Sequence, residues 1–283
     1  MSKMDREILR KNLQTDCKNC FGLCCAALCF SASEGFPTNK EAGQPCINLQ
    51  SDFKCSVHTN LAERGLKGCI AFDCFGAGQK VSQISFGGND WRKVPESAKT
   101  MFEVFLIVSR LQELLWYLTE ALTFEVSRLI YNDLRSTIEA TEQLTYLSVE
   151  ELLKLDIPVH RAKVDTLLQK TSELVRTEAS GGKQKISLRR KKVLGRGLDL
   201  IGADLRKRDM RGENLRGAYL IAADLRDVDL SGADLIGADF RDADLRGANL
   251  SKSIFLTQAQ INAAKGNADT KIPSSLSRPM HWG

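Results

Sequence analysis

The sequence predicts a multidomain α+β protein made of a cysteine-rich metal-binding head, a helical bundle and a C-terminal coil of parallel β structure. Three observations support this prediction. All nine cysteines lie between Cys17 and Cys74, apolar residues in the middle of the chain recur at helical spacing, and the tail repeats every five residues. The 283 residues suffice for more than one domain at about 100 to 200 residues each. The predicted segments are 1–94 (head), 95–180 (helices), 181–197 (basic linker), 198–257 (coil) and 258–283 (capping segment).

Cysteine spacing in the head indicates a metal site. The N-terminal 16 residues lack the apolar core of a secretory signal, and no stretch of about 18 apolar residues follows, so we expect a cytoplasmic protein without a membrane span. In a reducing compartment such a cluster favours metal-bound thiolates over disulfides. Four thiolates complete a tetrahedral zinc site or hold an iron-sulfur cluster. The predicted ligands are Cys17, Cys20, Cys24, Cys25, Cys46, Cys55, Cys69 and Cys74.

Two further residues of the head, Cys29 and His58, are not included among the predicted metal ligands. Cys29 lies in the apolar run 26–30, and we interpret it as a buried thiol, whereas His58 is an alternative ligand. Cys24 and Cys25 are adjacent and cannot easily chelate one ion, so they point to two ions or one of them belongs to the core. Glycines at 76, 78, 87 and 88 lack the pattern of a phosphate loop and are interpreted as turns.

The middle of the chain is predicted to be a small helical bundle. Two stretches, from about Pro95 and from Phe124 to Leu144, repeat apolar residues at steps of three and four. Ser148 to Glu151 has the pattern of a capping box, and Pro158 separates a short helix from another that runs to about residue 178. His160, near the start of that last helix, is interpreted as structural.

The segment 183–192 follows with six basic residues in ten. It contains no aromatic residue that could stack on bases. We interpret it as part of a solvated linker, with a nucleic-acid or anionic-membrane contact as the alternative.

The tail carries a large apolar residue at every fifth position from Leu200 to Phe255, usually preceded by Asp or Asn. Five residues match neither the helical nor the strand period. A coil with one pentapeptide on each side of a square would place these residues on its axis, and the Asp and Asn side chains would bond backbone at the turns. Thr257 and Gln260 have the pattern of a capping box for a short helix ending near Gly266.

These repeats, with their A(D/N)LXX motif over about 198–257, resemble the pentapeptide-repeat proteins. The resemblance implies a right-handed quadrilateral parallel β-helix. Some members of that family are DNA mimics that bind type II topoisomerases. Here residues 198–257 carry eleven acidic and nine basic side chains, a net charge of −2, and three coils are about 14 Å long, so mimicry is the less favoured interpretation.

The head resembles the YkgJ-type bacterial family of zinc- or iron-chelating proteins. The resemblance rests on Cys17, Cys20, the Cys24-Cys25 pair, Cys46 with Leu49, Cys55 with His58, and Cys69. The arginine-proline that usually follows in that family is absent here. The resemblance implies zinc or iron as the bound metal.

The leading functional hypothesis is a cytosolic zinc- or iron-binding protein that acts as a scaffold for another protein, with a homodimer left open. The alternative is an iron-sulfur or metal-dependent redox enzyme. No catalytic set or nucleotide motif supports hydrolysis or dehydrogenation, so no catalytic or organic-cofactor residues are predicted. A nucleic-acid partner is not expected, because the net charge is only +5 among 75 charged residues.

Overall fold

The computed structural model describes residues 10–181 and 198–283. The predicted basic linker 181–197 therefore lies outside the described residues apart from Gly181, as do the first nine residues of the predicted head. The chain divides into two compact units. The first comprises the residues up to Cys69 together with Asp73–Leu168, and the second comprises Ile70–Phe72 with Gln169–Gly283.

The first unit is helical, and its long helix carries the predicted apolar face. Met101, Phe105 and Val108 are fully buried, because their spacing of four and three places them on one side of that helix. Short 3₁₀ turns occupy Cys17–Asn19, Ala32–Glu34, His58–Asn60, Pro95–Ser97 and Glu125–Ile130. The α-helices are α1 (Leu23–Ala27), α2 (Lys67–Ile70), α3 (Ala77–Lys80), α4 (Ala98–Ala121), α5 (Tyr131–Leu144), α6 (Val149–Leu153) and α7 (Ile157–Ala179), with Ile70 and the end of α7 assigned to the second unit.

Local signals explain where the helices begin. Ser148 accepts a hydrogen bond from the Glu151 amide while the Glu151 side chain accepts one from the Ser148 amide, which confirms the predicted capping box at the start of α6. Pro158 is the second residue of α7, where its missing N–H has no helical partner to lose. His160 lies 3.0 Å from Thr141 through its Nε2 atom, joining α7 to α5.

The cysteine-rich segment shares a core with helix α4. A row of aromatic rings joins Phe21 to Phe53, Phe53 to Trp91, and Trp91 to Phe102 on α4, with centroids 5.3 to 5.7 Å apart. The Trp91 indole also donates to the Phe21 carbonyl over 2.9 Å. Ring contacts of this kind add about 0.5 to 1.5 kcal/mol each beyond the area that they bury.

The second unit contains the repetitive coil. All twelve predicted axial residues, from Leu200 to Phe255, are at most 3% exposed. Parallel bridges join residues twenty positions apart, such as Asp204 to Asp224 and Asp224 to Asp244. Each turn of the coil therefore takes four pentapeptides, which is why every fifth side chain points to the axis.

The corners of the coil depend on two positions of the repeat. Each of the ten Asp or Asn residues before an axial residue accepts a hydrogen bond from the amide two residues later, which confirms the predicted turn chemistry. The residue two after the axial one usually has a positive φ. Most of these are glycines such as Gly237, but Ala222, Asp227 and Asp242 adopt the same left-handed conformation at some steric cost.

The expected α+β class is met only in part. The described residues contain parallel single-residue bridges in the coil but no longer strands, because each side of the coil is only one pentapeptide long before the chain turns. The described secondary structure is therefore mostly helical.

The coil continues beyond its predicted end at residue 257. Lys265 bridges Asp244 and Lys271 bridges Asn249, both within the predicted capping segment. The Thr257 capping box is confirmed and begins helix α8 (Gln258–Asn262). Gly266, where that helix was expected to end, instead lies against the buried ring of Trp282 from the 3₁₀ turn Met280–Trp282.

The end of α7 packs against the coil inside the second unit. Arg176 donates from Nε to the Gly212 carbonyl over 2.9 Å, and a Cβ at Gly212 would lie 2.8 Å from the Arg176 carbonyl oxygen. Asp234 is fully buried and pairs with Arg216 at 3.2 Å. Burial raises the pKa of Asp234 despite the nearby guanidinium. Among the described residues, no helix has the length and apolarity needed to cross a membrane.

Candidate metal centre

The predicted ligands lie on short elements of the first unit. Cys17 begins a 3₁₀ turn that ends before Cys20, Cys24 and Cys25 are in α1, and Cys69 is in α2. Cys46 and Cys74 are buried in connecting segments, and Cys55 pairs with Leu49 in an antiparallel bridge. All nine cysteines are free thiols.

A first group of thiols gathers around Gly78 of helix α3. A Cβ at position 78 would lie only 2.6 Å from the Cys20 sulfur, so glycine makes room for that atom, while the Cys74 sulfur would be at an ordinary contact distance of 3.8 Å. We assign Cys17 to this group as well, because the charge of Cys74 acts on it more strongly than that of Cys55, although burial is the largest cause of its raised pKa. Burial raises the pKa of Cys20 to about 11.

Oxygen atoms lie beside this first group. The Thr15 hydroxyl is 3.5 Å from the Cys74 sulfur and donates to the Asp73 carboxylate over 2.8 Å. The charge of Asp73 also contributes to the raised pKa of Cys17. Asp73 therefore joins the candidates for a fourth ligand, although its position in the sequence did not single it out.

A second group contains Cys24, Cys25, Cys46, Cys55 and Cys69. The Cys24 and Cys25 sulfur atoms are 4.0 Å apart, and the Cys46 amide donates to the Cys25 carbonyl over 2.9 Å. A hydrogen bond with Cys24 raises the pKa of Cys25, and a hydrogen bond with Cys25 followed by burial raises that of Cys55. Burial, with the charges of Cys46 and Cys55, raises the pKa of Cys69 to about 11. The raised pKa values favour the protonated thiol at Cys25, Cys55 and Cys69 in the absence of a cation.

Lys40 lies against this second group. Its ammonium donates to the carbonyls of Ala26 and Leu28 at the end of α1, and lies 4.4 Å from the centre of the Phe30 ring. Burial lowers the pKa of Lys40, while the charges of Cys46, Cys25, Cys29 and Cys24 act in the opposite direction. A single lysine gives no recognisable sequence signal, and sequence analysis did not identify it.

The structure also shows where Cys29 and His58 lie, the two residues of the head that were left out of the predicted ligand set. Cys29 is exposed, so its expected role as a buried thiol is wrong. The reason is that the chain leaves α1 in extended conformation at Leu28, and alternation turns Phe30 inward and Cys29 outward. His58 is exposed at the start of its 3₁₀ turn. Gly76, Gly87 and Gly88 have positive φ, as turns require, but Gly78 is helical and was wrongly expected in a turn.

The spacing between side chains is wider than metal coordination needs. Within 10–181 and 198–283, no three His, Cys, Asp or Glu side chains lie close enough together to hold a metal ion. The donor set nevertheless has the chemistry that zinc and iron-sulfur clusters require, since thiolate sulfur dominates it.

Comparison with known proteins agrees with the coil described above. The Pentapeptide repeats family matches residues 199–235 and 223–255 with eight copies. The chain is thus a pentapeptide-repeat protein. It is 58% identical over 271 residues to the uncharacterized protein YybG of Bacillus subtilis (strain 168), covering 96% of this chain and 95% of the relative. The chain belongs to the same family as YybG, and that relationship includes nearly all of the head and helices as well as the repeats. No solved structure matches the chain.

Proposed function

We propose that this pentapeptide-repeat protein binds zinc or iron through the thiolates of its head and acts in the cytoplasm as a scaffold for another protein. The observation that carries the proposal is the gathering of eight cysteines, which span 58 residues of sequence, into two groups within one unit. The positive charge of Lys40 would offset part of the negative charge that thiolates bring to the second group.

Metal binding gives the partly exposed thiols of the second group a role. Buried thiols can be inert core residues, but only Cys46 of this group is buried, and the other four remain partly accessible. A cation would displace the thiol protons and draw the sulfur atoms to about 2.3 Å from itself. We expect two sites, one per group, with Asp73 completing the first.

Elemental analysis of protein purified without oxygen tests this proposal. Wild-type protein should contain at least one zinc or iron per chain, and a brown colour would favour the iron-sulfur alternative over colourless zinc. Cys20→Ser should remove metal from the first group and Cys25→Ser from the second. Cys29→Ser is the matched control, because Cys29 is exposed and outside the predicted ligand set. Metal-free wild-type protein, or equal metal loss in the control, would contradict the proposal.

We further infer that the repeats form a right-handed quadrilateral β-helix that presents flat faces to a protein partner. The twenty-residue spacing of parallel bridges supports four sides per turn. One face carries a ladder in which Arg226 bonds Asp224 at 2.6 Å and reaches Asp244 at 3.8 Å in the next coil. Alternating charges of this kind favour specific pairing with a protein over attachment to a uniformly charged polymer.

A further inference from the structure

The first unit contains a cleft that opens between four parts of the chain. Its walls come from the segment 11–19, from helix α3 with the turn after it, from helix α4, and from helix α5 with the turn after it. Its volume is about 510 Å³, which is within the range of small-molecule sites. The cleft adjoins the first cysteine group at Thr15 and Asp16, but no cysteine is among the described residues that line it.

Gln112 of helix α4 is the residue of this cleft that points to a ligand. It is only 3% exposed, and no hydrogen bond joins its side-chain amide to any other residue that the structure describes. An unpaired buried amide destabilises a fold, because it gives up its hydrogen bonds to water and gains none in return. Gln112 lines an open cleft, where a bound molecule can supply the missing hydrogen bonds.

Two other glutamines of the cleft are already bonded to the backbone. Gln79 donates from Nε2 to the Gln14 carbonyl over 2.7 Å and accepts from the Asp16 amide over 3.1 Å. Gln83 donates from Nε2 to the Asn19 carbonyl over 2.9 Å. These bonds join the segment 11–19 to helix α3 and the turn after it, so the walls of the cleft are held in place without a ligand.

The cleft also presents apolar surface. Ile84 and Tyr146 are 53% and 55% exposed, and the buried Leu115 lies one helical turn from Gln112. Ile84 belongs to the π-helical turn Val81–Ser85, an irregularity that is frequent at functional sites. Large apolar side chains that remain exposed around a cleft favour a ligand with apolar faces.

The charges of the cleft cancel. Lys11 and Lys80 supply two ammonium groups. Asp16 and Glu142 supply two carboxylates. The Lys80 ammonium lies 3.5 Å from the centre of the Tyr146 ring, so it already has a partner within the protein. A charged ligand would gain little net attraction here, and the cleft therefore favours an uncharged one.

We propose that this cleft binds an uncharged purine nucleoside, with the Gln112 amide bonded to the edge of an adenine base. An amide presents a donor and an acceptor side by side, and glutamine pairs in this way with the N6 amino group and the N7 atom of adenine. Apolar side chains such as Leu115 and Ile84 suit the flat faces of the base. A sugar alone presents hydroxyl groups in every direction and does not match this apolar surface.

Isothermal titration calorimetry of the full-length protein with adenosine tests the proposal. Wild-type protein should bind adenosine. N6,N6-dimethyladenosine lacks the donor and 7-deazaadenosine lacks the acceptor, so each should bind at least about tenfold more weakly. AMP should bind no more tightly than adenosine, because the charges of the cleft cancel. No binding of adenosine at millimolar concentration, equal affinity for the two analogues, or much tighter binding of AMP would overturn the proposal.

Two variants separate binding from folding. Gln112→Leu removes the amide and keeps a side chain of similar size, so adenosine should bind at least about tenfold more weakly. Its melting temperature should be unchanged or higher, because an unpaired buried group is lost. Gln143→Leu is the matched control, since Gln143 is exposed on helix α5 and does not line the cleft, and it should bind adenosine as the wild type does.

The variants also have outcomes that contradict the proposal. Wild-type affinity for adenosine in Gln112→Leu would refute the site. A lower melting temperature in that variant would assign the amide a structural role instead. Metal content measured on the same samples should match that of the wild type, which keeps this result separate from the test of the two cysteine groups.

Discussion

Gly78 shows how the absence of a side chain at one position allows a cysteine to pack against a helix in this protein. A glycine inside a helix normally weakens it, because the backbone loses more freedom on folding than alanine does. Here the missing Cβ makes room for the Cys20 sulfur atom. The residue therefore serves the packing of the thiols at the expense of helix stability.

Replacing this glycine should reverse the usual effect of such a substitution. Gly78→Ala would place a methyl group 2.6 Å from the Cys20 sulfur, and we expect a loss of about 1 to 3 kcal/mol in unfolding free energy from overpacking. Thermal denaturation of the two proteins measures the change. An ordinary helical Gly→Ala change stabilises by about 0.5 to 1 kcal/mol, so a higher melting temperature would contradict the assigned role.

At the scale of elements, the coil is the clearest case in which a short pattern determines an extended structure. Every axial side chain is buried, and each Asp or Asn before it bonds the backbone at the turn. The repeat pattern does not predict where the coil ends. Lys265 and Lys271 continue the parallel bridges although the pentapeptide pattern has stopped before them. Backbone bridges hold those two residues, and a bridge needs no particular side chain.

A charge on the axis should disrupt the coil, while the same change on its surface should not. Leu235 has no exposed surface, so Leu235→Asp would bury an unpaired carboxylate at a cost of several kcal/mol. Ile201→Asp is the matched control, because Ile201 is 57% exposed. Thermal unfolding followed by circular dichroism should show a large loss for the first variant and little change for the second. Equal stability of both variants would argue against an axial role for position 235.

For the molecule as a whole, charge and length limit the range of partners. The complete chain carries a net charge of +5, and residues 198–257 carry a net charge of −2. Duplex DNA has one negative charge for about every 1.7 Å of axis, and one turn is about 34 Å long. Three coils at about 4.8 Å each reproduce neither the length nor the charge.

The full-length protein should accordingly leave DNA gyrase active. In a supercoiling assay, we expect no inhibition at concentrations where a DNA mimic would act, because the coil lacks a dense anionic surface. Inhibition by the wild-type protein that is lost in Asp227→Asn, a change at an exposed carboxylate, would instead favour mimicry.

The sequence alone determined the features that depend on neighbours close along the chain. The five-residue period predicted the coil axis, apolar spacing predicted helix α4, and the patterns at Ser148 and Thr257 predicted two helix starts, because hydrogen bonds and side-chain faces repeat over a few residues. Only the tertiary structure decided which thiols lie near one another and that Cys29 faces solvent. Cys20 and Gly78 are 58 positions apart, and Phe21 and Trp91 are 70 apart. Contacts between residues so far apart in the sequence depend on how whole elements pack. They cannot be predicted from a pattern of neighbouring residues.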